Sequence, residues 1–506
     1  MSNEPVSNGP KSNEPKSNDP MPNESKPNGP MPSSISLVLA LGVGLVLAFA
    51  ACTAERPQRD VLLVTIDTLR PDFLEPYGFA QPSSPAIARL AAQGVVFDNA
   101  IAAGSLTAPA HGSIMTGRFA RQHSIGALNG ETRLEGTPTL AEQFQRAGYD
   151  TAAFISNVVL RRRIGLDLGF DVYDDELPEG ELNRPAYFER TADETAERAL
   201  AWLAEEREAR VFVWLHLQDP HGPYTPPDAT RGRFEDVPLR VKQPLSVLDT
   251  NSGRAGIPAY QALPGLDRPG QYAARYAEEV LFADRWLGAV VDAMRARRAG
   301  EEPIVLLTSD HGESMGEQGW FFQHGQSSTP DLARVPMIVV APGVAPRREP
   351  AWVSHVDVAP TVLELAGLAP LEGVTGRSLA GLIESGEPLG ERVLFCDTDG
   401  ESAAYFPGGI VRAIQGAAYS RPGGEVQGAT RFEGMREKAP GVWRPLPVDE
   451  DVRTVLEGYL AAAAPLVPAG AMSPEHVEEL RALGYIEPAP DEAAAQAPES
   501  PRSEEP

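Results

Sequence analysis

The sequence predicts an α/β protein built on a doubly wound, mixed but mostly parallel sheet flanked by helices, with a small antiparallel subdomain near the C-terminus. Several short, uncharged runs rich in Val, Ile and Leu stop abruptly at polar residues. Such runs are typical of strands buried on both faces. Longer segments with apolar residues every three or four positions lie between them, as in amphipathic helices. This alternation predicts a sheet covered by helices on both faces.

Five segments carry the strand pattern. The first, DVLLVTID, runs from Asp60 to Asp67, and similar runs follow at 151–156, 211–217, 303–310 and 336–342. The clearest helical patterns lie at 137–148, 190–206 and 271–298. In such folds ligands bind beyond the carboxyl ends of the strands. The residues that fall there are Asp67, His216, His221, Asp310 and His311.

Composition divides the chain of 506 residues into five parts. Residues 1–34 repeat a five-residue Pro/Asn-rich unit and are expected to be disordered. An apolar segment follows at 35–52, then the main α/β domain at 58–385 and a C-terminal subdomain at 386–487. Helices are expected within that subdomain at 448–464 and 473–486. Residues 488–506 form an acidic tail that is also expected to be disordered.

The apolar segment from Ile35 to Cys52 is uncharged and indicates an export signal. It ends in FAAC, which resembles the bacterial lipobox, so we expect a lipoprotein acylated at Cys52. The segment is also close to the minimum length of a spanning helix, so an uncleaved membrane anchor is the alternative. Both versions place the protein in the bacterial cell envelope, exported to the periplasm and tethered to a membrane. Its positive n-region consists of Lys11, Lys16 and Lys26.

Charge and cysteine content exclude two classes of protein. The chain has 44 Lys and Arg against 70 Asp and Glu, a net charge of −26. A negative surface of this size repels a phosphate backbone, so no nucleic-acid partner is expected. The two cysteines, Cys52 and Cys396, cannot form a disulfide framework, so the core must hold the fold together.

The residues that could bind a metal or take part in a reaction lie at two strand ends and on one short helix. Asp67 ends the first strand, and Asp310 and His311 end another. Two carboxylates and an imidazole suit one divalent ion, with Ca²⁺, Mn²⁺, Mg²⁺ and Zn²⁺ all open. In SLTAPAHGSIMTGR, Pro109 fits the first turn of a helix and Gly117 its end. Thr107 therefore lies at a helix N-terminus, where an oxyanion is favoured, although a threonine there can also serve only as a cap.

Nine ordered segments resemble the sulfatases and sulfatase-like hydrolases of the alkaline phosphatase superfamily. Those with the most polar residues are VLLVTIDTLRPDFLEPYG, LTAPAHGSIMTGR, HLQDPHGPYTPP and LLTSDHGESMGEQGWFFQHG. The others are PAIARLAAQGVVFDNAIA, AGYDTAAFISN, RVPMIVVAPG, VSHVDVAPTVLELAG and EELRALGYIE. Together they cover most of the chain from Asp60 to Glu487. The resemblance implies a metal-dependent ester hydrolase on the fold described above.

The resemblance also assigns roles to individual residues. It implies one divalent metal held by Asp67, Asp310 and His311, with Thr107 as the metal-bound nucleophile. His221 and His324 would lie near the leaving group and the transferred anion, and either could be the proton donor. The further residues expected near the site are His123, His216, Asp219 and His355.

Two departures from the sulfatase pattern bear on the reaction. Familiar sulfatases carry Cys or Ser in C-x-P-x-R, which is oxidised to formylglycine, whereas this chain has Thr107 and, in place of the Arg, His111. The Lys expected after the glycine-tyrosine strand is replaced by Ser156 and Asn157. Threonine cannot supply the aldehyde, so no formylglycine is expected.

A plain threonine favours phosphorus over sulfur. Formylglycine hydrate expels sulfate through its second hydroxyl, whereas a sulfated threonine has no such exit and must be attacked at sulfur. A phosphothreonine intermediate is released by water or an acceptor hydroxyl. The expected reaction is hydrolysis of a sulfate, phosphate or phosphonate ester on a small molecule, glycan or lipid. The alternatives are a phosphoethanolamine-type phosphotransferase and a catalytically degenerate envelope binding protein.

The Pro/Gly-rich segment 225–269 is longer than an ordinary loop. It is expected to form either a lid on the substrate side or a flexible excursion.

Overall fold

The computed structural model describes residues 56–462, except 124, 126–132, 135, 399, 416–429 and 440–441. The chain divides into two compact units, 1–55 and 56–506, and every described residue belongs to the second. The predictions for 1–34, 35–52 with Cys52, 473–486 and 488–506 therefore lie outside the described residues. Within the described part of the chain, no helix combines the length and the apolar character needed to cross a membrane.

Eighteen strands are present among the described residues. In chain order they are β1 (Val61–Ile66), β2 (Val95–Ile101), β3 (Asp150–Phe154), β4 (Val172–Asp174), β5 (Glu179–Glu181), β6 (Arg184–Glu189), β7 (Val211–Leu217), β8 (Ile304–Ser309), β9 (Ser314–Met315), β10 (Phe321–Gln323), β11 (Arg334–Val335), β12 (Met337–Val340), β13 (Arg347–Ser354), β14 (Leu394–Thr398), β15 (Glu401–Phe406), β16 (Gly409–Ile414), β17 (Arg431–Ala439) and β18 (Val442–Leu446).

Ten α-helices accompany these strands in the described ranges. They are α1 (Pro85–Ala91), α2 (Thr107–Thr116), α3 (Ala120–His123), α4 (Leu140–Arg146), α5 (Ala192–Leu203), α6 (Pro269–Arg297), α7 (Pro330–Ala333), α8 (Val358–Leu365), α9 (Ala380–Ser385) and α10 (Glu450–Ala462). The helices predicted at 137–148, 190–206, 271–298 and 448–464 correspond to α4, α5, α6 and α10.

The main sheet has the order β11-β2-β12-β8-β1-β7-β3-β4, with β13 also paired to β2. The pairs β1–β7, β1–β8, β3–β7, β3–β4 and β2–β13 are parallel. Alternate residues of β1 enter different cores: Val61 and Leu63 pack on the side of α2, α4 and α8, whereas Leu62 and Val64 pack on the side of α5 and α6. Because both faces are covered, apolar side chains are favourable at every position of the strand. The doubly wound fold is confirmed.

The strand at 336–342 is an exception in the mostly parallel sheet. β12 lies within it but runs antiparallel to both β2 and β8. The chain between β8 and β12 contains the short β9–β10 pair and α7 rather than a long crossover helix. Without such a crossover, the chain can return beside β8 in the opposite direction. Apolar composition reports burial on both faces and carries no information about strand direction.

The C-terminal subdomain is a five-stranded antiparallel sheet in the order β14-β15-β16-β17-β18, as the fold prediction required. Its first strand touches the segment that leads into α2. The amide of Ser105 donates to the Asp397 carbonyl at 3.2 Å. The Arg121 Nε donates to the Asp397 carboxylate at 3.1 Å. This sheet therefore packs directly against the segment that carries Thr107.

Two irregular pieces of chain approach each other near the carboxyl ends of the strands. The β5–β6 hairpin is one of them, and the 225–269 segment, with a single 3₁₀ turn at Ala259–Gln261, is the other. The Asn183 side-chain amide donates to the carbonyls of Tyr260 and Ala262 at 2.7 and 3.0 Å. The segment thus has defined contacts with the hairpin.

Candidate active site

The register of the central strands brings the first two acidic residues together. Ile66 of β1 is paired with Ser309 of β8, so Asp67 and Asp310 are the next residues on adjacent parallel strands. The Asp310 Oδ1 accepts from the Thr68 and His311 amides at 3.1 and 2.8 Å. Thr68 has φ 53°, a left-handed conformation that is unfavourable for a β-branched residue. This turn fixes both carboxylates at the strand ends.

Thr107 is the first residue of α2, as predicted. Leu106 caps the helix without a side-chain hydrogen bond, and Gly117 ends it with φ 67°. All ten residues of α2 are buried, so the N-terminus of the helix is directed into the protein rather than into water. The Thr107 Oγ1 lies 3.3 Å from His311 Nε2. The helix thus presents a hydroxyl group and the positive end of its dipole to the acidic strand ends.

The electrostatics of Asp67, Asp310 and His311 fit a cation. Their ligand atoms lie within 4.8 Å of one another. The Nδ1 of His311 lies 3.0 Å from the Gly312 carbonyl and so carries the proton, which leaves the lone pair on Nε2. That Nε2 lies 3.4 Å from Asp310 Oδ2 and 4.0 Å from Asp67 Oδ1. Both carboxylate oxygens are buried and lack hydrogen-bond partners among the described residues.

Without a cation this arrangement is unfavourable, because electron pairs of three ligands converge in a buried space. Burial raises the pKa of Asp67 to about 6. A divalent ion would offset the burial of the charge and satisfy the unpaired oxygens. The residues present therefore fit a metal of the kind that carboxylate and imidazole ligands hold.

The two candidate proton donors form a second layer above this group. The ring of His324 stacks on His311 with centroids 4.5 Å apart, and the ring of His221 meets His324 at 5.2 Å. Thr107, Asp67, Asp310 and His311 are fully buried, whereas His221 and His324 are 4% and 5% exposed. All six side chains are therefore buried, and the two histidines lie next to the metal-site candidates.

Each of these histidines has a buried glutamate at its Nδ1. The distance is 3.5 Å from His221 to Glu181 and 3.4 Å from His324 to Glu313. Burial raises the pKa of Glu313 to about 8 and lowers that of His324 to about 4. Burial and the neighbouring His324 and Arg184 lower the pKa of His221 well below its usual range.

The hairpin also contacts the metal-site carboxylates through a chain of hydrogen bonds. The Tyr187 hydroxyl donates to Asn157 Oδ1 at 2.9 Å, and Asn157 Nδ2 donates to Asp67 Oδ2 at 2.9 Å. Asn157 occupies one of the positions where the family's Lys is missing, and it orients a candidate metal ligand. Sequence reasoning noted Asn157 only as a departure and did not identify Tyr187 or Glu181. The hairpin sequence EGELNRPAYFE has no pattern that marks it as part of a site.

His111, which stands where the family has Arg, is a buried residue of α2. Its Nδ1 lies 2.8 Å from the Thr107 carbonyl, and its Nε2 lies 3.0 Å from Thr65 Oγ1. Burial lowers its pKa to about 3, so it does not supply the positive charge of an arginine. It joins the start of α2 to β1.

The four further residues expected near the site have different positions. His216 borders it, with Nε2 3.7 Å from Asp67 Oδ2. The Asp219 carboxylate accepts from the Ala192 amide at 2.7 Å and so caps α5. The other two make structural contacts: His123 Nε2 with Ser113 Oγ at 3.1 Å, and His355 Nε2 with the Ser309 carbonyl at 2.8 Å.

Comparison with known proteins identifies the family. The family model described as Sulfatase matches residues 59–368, more than half of the chain. The chain is 26% identical over 370 residues to the Delta 4,5-hexuronate-2-O-sulfatase of Bacteroides thetaiotaomicron, covering 67% of this chain and 74% of that protein. It is 24% identical over 377 residues to the choline-sulfatase of Rhizobium meliloti, covering 65% and 73% respectively.

Solved structures share the fold. A phosphonate monoester hydrolase from Silicibacter pomeroyi superposes with a TM-score of 0.64 at 18% identity, covering 80% of this chain and 95% of that one. The chain therefore belongs to the sulfatase family and is an ester hydrolase of that family.

Proposed function

We propose that this protein hydrolyses a phosphate or phosphonate ester, and less readily a sulfate ester, with Thr107 as the nucleophile. The observation that carries the proposal is the position of the Thr107 hydroxyl. It lies 3.3 Å from His311 Nε2, at a buried helix N-terminus beside two carboxylate oxygens that have no hydrogen-bond partner among the described residues. A small-molecule or glycan ester is the substrate class favoured by the named activities of its relatives.

Asp67, Asp310 and His311 would hold one divalent ion, with Thr107 next to it. When bound, that ion would favour the deprotonated hydroxyl and offset charge on the transferred group. The positive end of the α2 dipole would favour the oxyanion of the transferred group. His221 or His324 would donate a proton to the leaving oxygen, and both are within the layer of rings above the metal-site residues.

The threonine at position 107 supports a phosphorus ester over a sulfate ester. It offers one hydroxyl and cannot become formylglycine, so a covalent intermediate must be released by attack at the central atom. Water attack on a phosphothreonine has that outcome, and the adjacent cation would support it.

The test compares p-nitrophenyl sulfate, phosphate, phosphodiester and phosphonate with detergent-solubilised full-length protein and defined divalent metals. We expect kcat/KM to be highest for one of the phosphorus esters. Turnover of the sulfate alone would overturn the choice of phosphorus and leave the metal site and Thr107 to be tested separately.

We also propose that the protein is exported to the periplasm and tethered through acylated Cys52. The FAAC ending of the apolar segment supports this proposal, and that segment lies outside the described residues. Mass spectrometry of the mature N-terminus is expected to show a lipid-modified Cys52, and Cys52→Ser to abolish the modification. An intact N-terminus that includes residues 1–51 would instead support the uncleaved anchor.

A further inference from the structure

A second group of potential ligands lies beside the proposed nucleophile site. Ligand atoms of Glu181, Glu189 and His221 lie within 4.8 Å of one another. The Arg184 guanidinium, however, already binds both oxygens of Glu181, with Nε to Oε2 at 2.6 Å and Nη2 to Oε1 at 2.7 Å. A bidentate guanidinium compensates the charge that a cation would otherwise neutralise. The group is therefore a chain from arginine to glutamate to histidine.

His221 is held by this chain on one edge and by an aromatic ring on one face. Its Nδ1 is buried, lies 3.5 Å from Glu181 Oε1 and has no hydrogen-bond partner among the described residues. Its ring is parallel to that of Tyr187, with centroids 5.5 Å apart and 6° between planes. Arg184 is itself placed between aromatic rings, 4.4 Å from the Tyr187 centroid and 3.9 Å from the Tyr260 centroid.

We propose that Glu181 is a positioning residue that engages His221 at Nδ1, directing Nε2 to protonate the leaving-group oxygen, while Arg184 holds Glu181 in place. The inference rests on the proposed function and deepens it. It assigns a role to the β5–β6 hairpin and takes His221 as the proton donor, one of the two histidines that the proposed function names.

Geometry places His221 under the control of the hairpin. Its Nδ1 lies 3.5 Å from Glu181 Oε1 and its ring is parallel to that of Tyr187, so two hairpin side chains fix one edge and one face of the ring. Burial and the neighbouring His324 and Arg184 disfavour a second proton on His221, and the Glu181 carboxylate is the group placed to offset them. Burial raises the pKa of Glu181 to about 7, and Arg184 opposes that rise.

The reaction then balances over two steps. In the first, deprotonated Thr107 Oγ1 forms a bond to phosphorus as the bond from phosphorus to the leaving oxygen breaks. That oxygen keeps the electron pair and takes the proton from His221 Nε2, so neutral histidine and free alcohol result. In the second, the water oxygen forms a bond to phosphorus as the bond from phosphorus to Thr107 Oγ1 breaks. One water proton goes to His221 Nε2, Oγ1 keeps the electron pair, and the phosphate or phosphonate product is released.

The experiment measures kcat/KM for esters whose leaving alcohols range from nitrophenol to simple alkyl alcohols, with the holoenzyme throughout. A proton donor matters most for poor leaving groups and contributes about 10²–10⁴-fold. We expect Glu181→Gln to lose roughly tenfold or less on nitrophenyl esters and about 10²-fold or more on alkyl esters. His221→Ala should show the same dependence, and the double variant should equal His221→Ala alone.

Two further variants separate positioning from folding. Glu181→Asp keeps a charge for Arg184 but withdraws it from Nδ1, so it should reproduce the leaving-group dependence. Glu317→Gln is the matched control, because Glu317 pairs with buried Arg70 at 3.0 Å and does not contact His221. Glu317→Gln should have the kcat/KM of the wild type for every leaving group, and this result supports the proposal.

Three outcomes would overturn the inference: a Glu181→Gln loss that is equal for all leaving groups, additive losses in the double variant, or a second bound metal that disappears in Glu181→Gln. Failure of the proposed function would be recognised differently, by turnover that survives in Thr107→Ala.

Discussion

Thr107→Ala is expected to lower kcat for every ester that the protein hydrolyses by at least about 10³-fold, because it removes the atom to which the transferred group becomes bonded. The side chain is buried at the start of α2, and its hydroxyl lies 3.3 Å from His311 Nε2. The N-cap of α2 at Leu106 and the end of β8 before His311 are both formed without this hydroxyl. The variant should therefore remain folded while losing turnover.

Two threonine variants make this result specific. Thr107→Ser retains a hydroxyl at the same place and should keep kcat within about tenfold of the wild-type value. Thr116→Ala makes the same truncation at the other end of α2, where the hydroxyl donates to the Gly112 carbonyl at 2.7 Å. It should leave kcat nearly unchanged. Comparable activity in Thr107→Ala and Thr116→Ala would refute the nucleophile.

Asp310→Asn is expected to remove the divalent metal from the purified protein. The substitution removes the negative charge of the carboxylate. The Oδ2 atom of Asp310 is buried, has no hydrogen-bond partner among the described residues and lies 3.4 Å from His311 Nε2. Loss of a residue that only orients a metal ligand weakens metal binding by about 10–100-fold, and loss of a ligand should cost at least as much. Turnover should fall together with metal content.

Metal analysis and thermal unfolding test this expectation together. A cation present at about 1,000 times its Kd stabilises the folded wild-type protein by about 4 kcal/mol, so Tm should rise on metal addition and not in Asp310→Asn. Protons compete for Asp67, whose pKa burial raises to about 6, so apparent metal affinity should fall as pH drops below that value.

Asp284→Asn is the control for the metal experiment. This carboxylate is also buried but accepts from the amides of Ala86 and Ile87, outside the candidate site. It should bind metal like the wild type. Wild-type protein that binds no metal at all would favour a degenerate binding protein over a hydrolase.

The residues at the strand ends could be predicted because local pattern and chemistry coincide there. The apolar run before Asp67 indicates a strand buried on both faces, and a parallel sheet places the ends of such strands at one edge. The positions of Pro109 and Gly117 likewise delimit α2. The structure accordingly brings Asp67, Thr107, Asp310 and His311 together.

Edge strands and the hairpin were not predicted, for a physical reason. β13 has partly buried and exposed residues until its last two positions and contains Arg347, Arg348 and Glu349, so its sequence lacks the apolar run of a central strand. The β5–β6 hairpin is polar and largely exposed, but Glu181 is buried, paired with an Arg184 that packs between two tyrosines. A pairing between individual side chains leaves no periodic pattern in the sequence.

The sequence by itself determined the doubly wound fold, the helix that begins at Thr107 and the acidic strand ends, since each depends on residues that are close together in the chain. Tertiary structure alone decided the direction of β12, the contact of the C-terminal sheet with Ser105, and the glutamate at each histidine. These depend on pairs such as Glu181 and His221, which meet because separate segments converge on one buried site. In such a site, the low dielectric makes every unpaired charge costly, so partners are selected by proximity in space rather than by order along the chain.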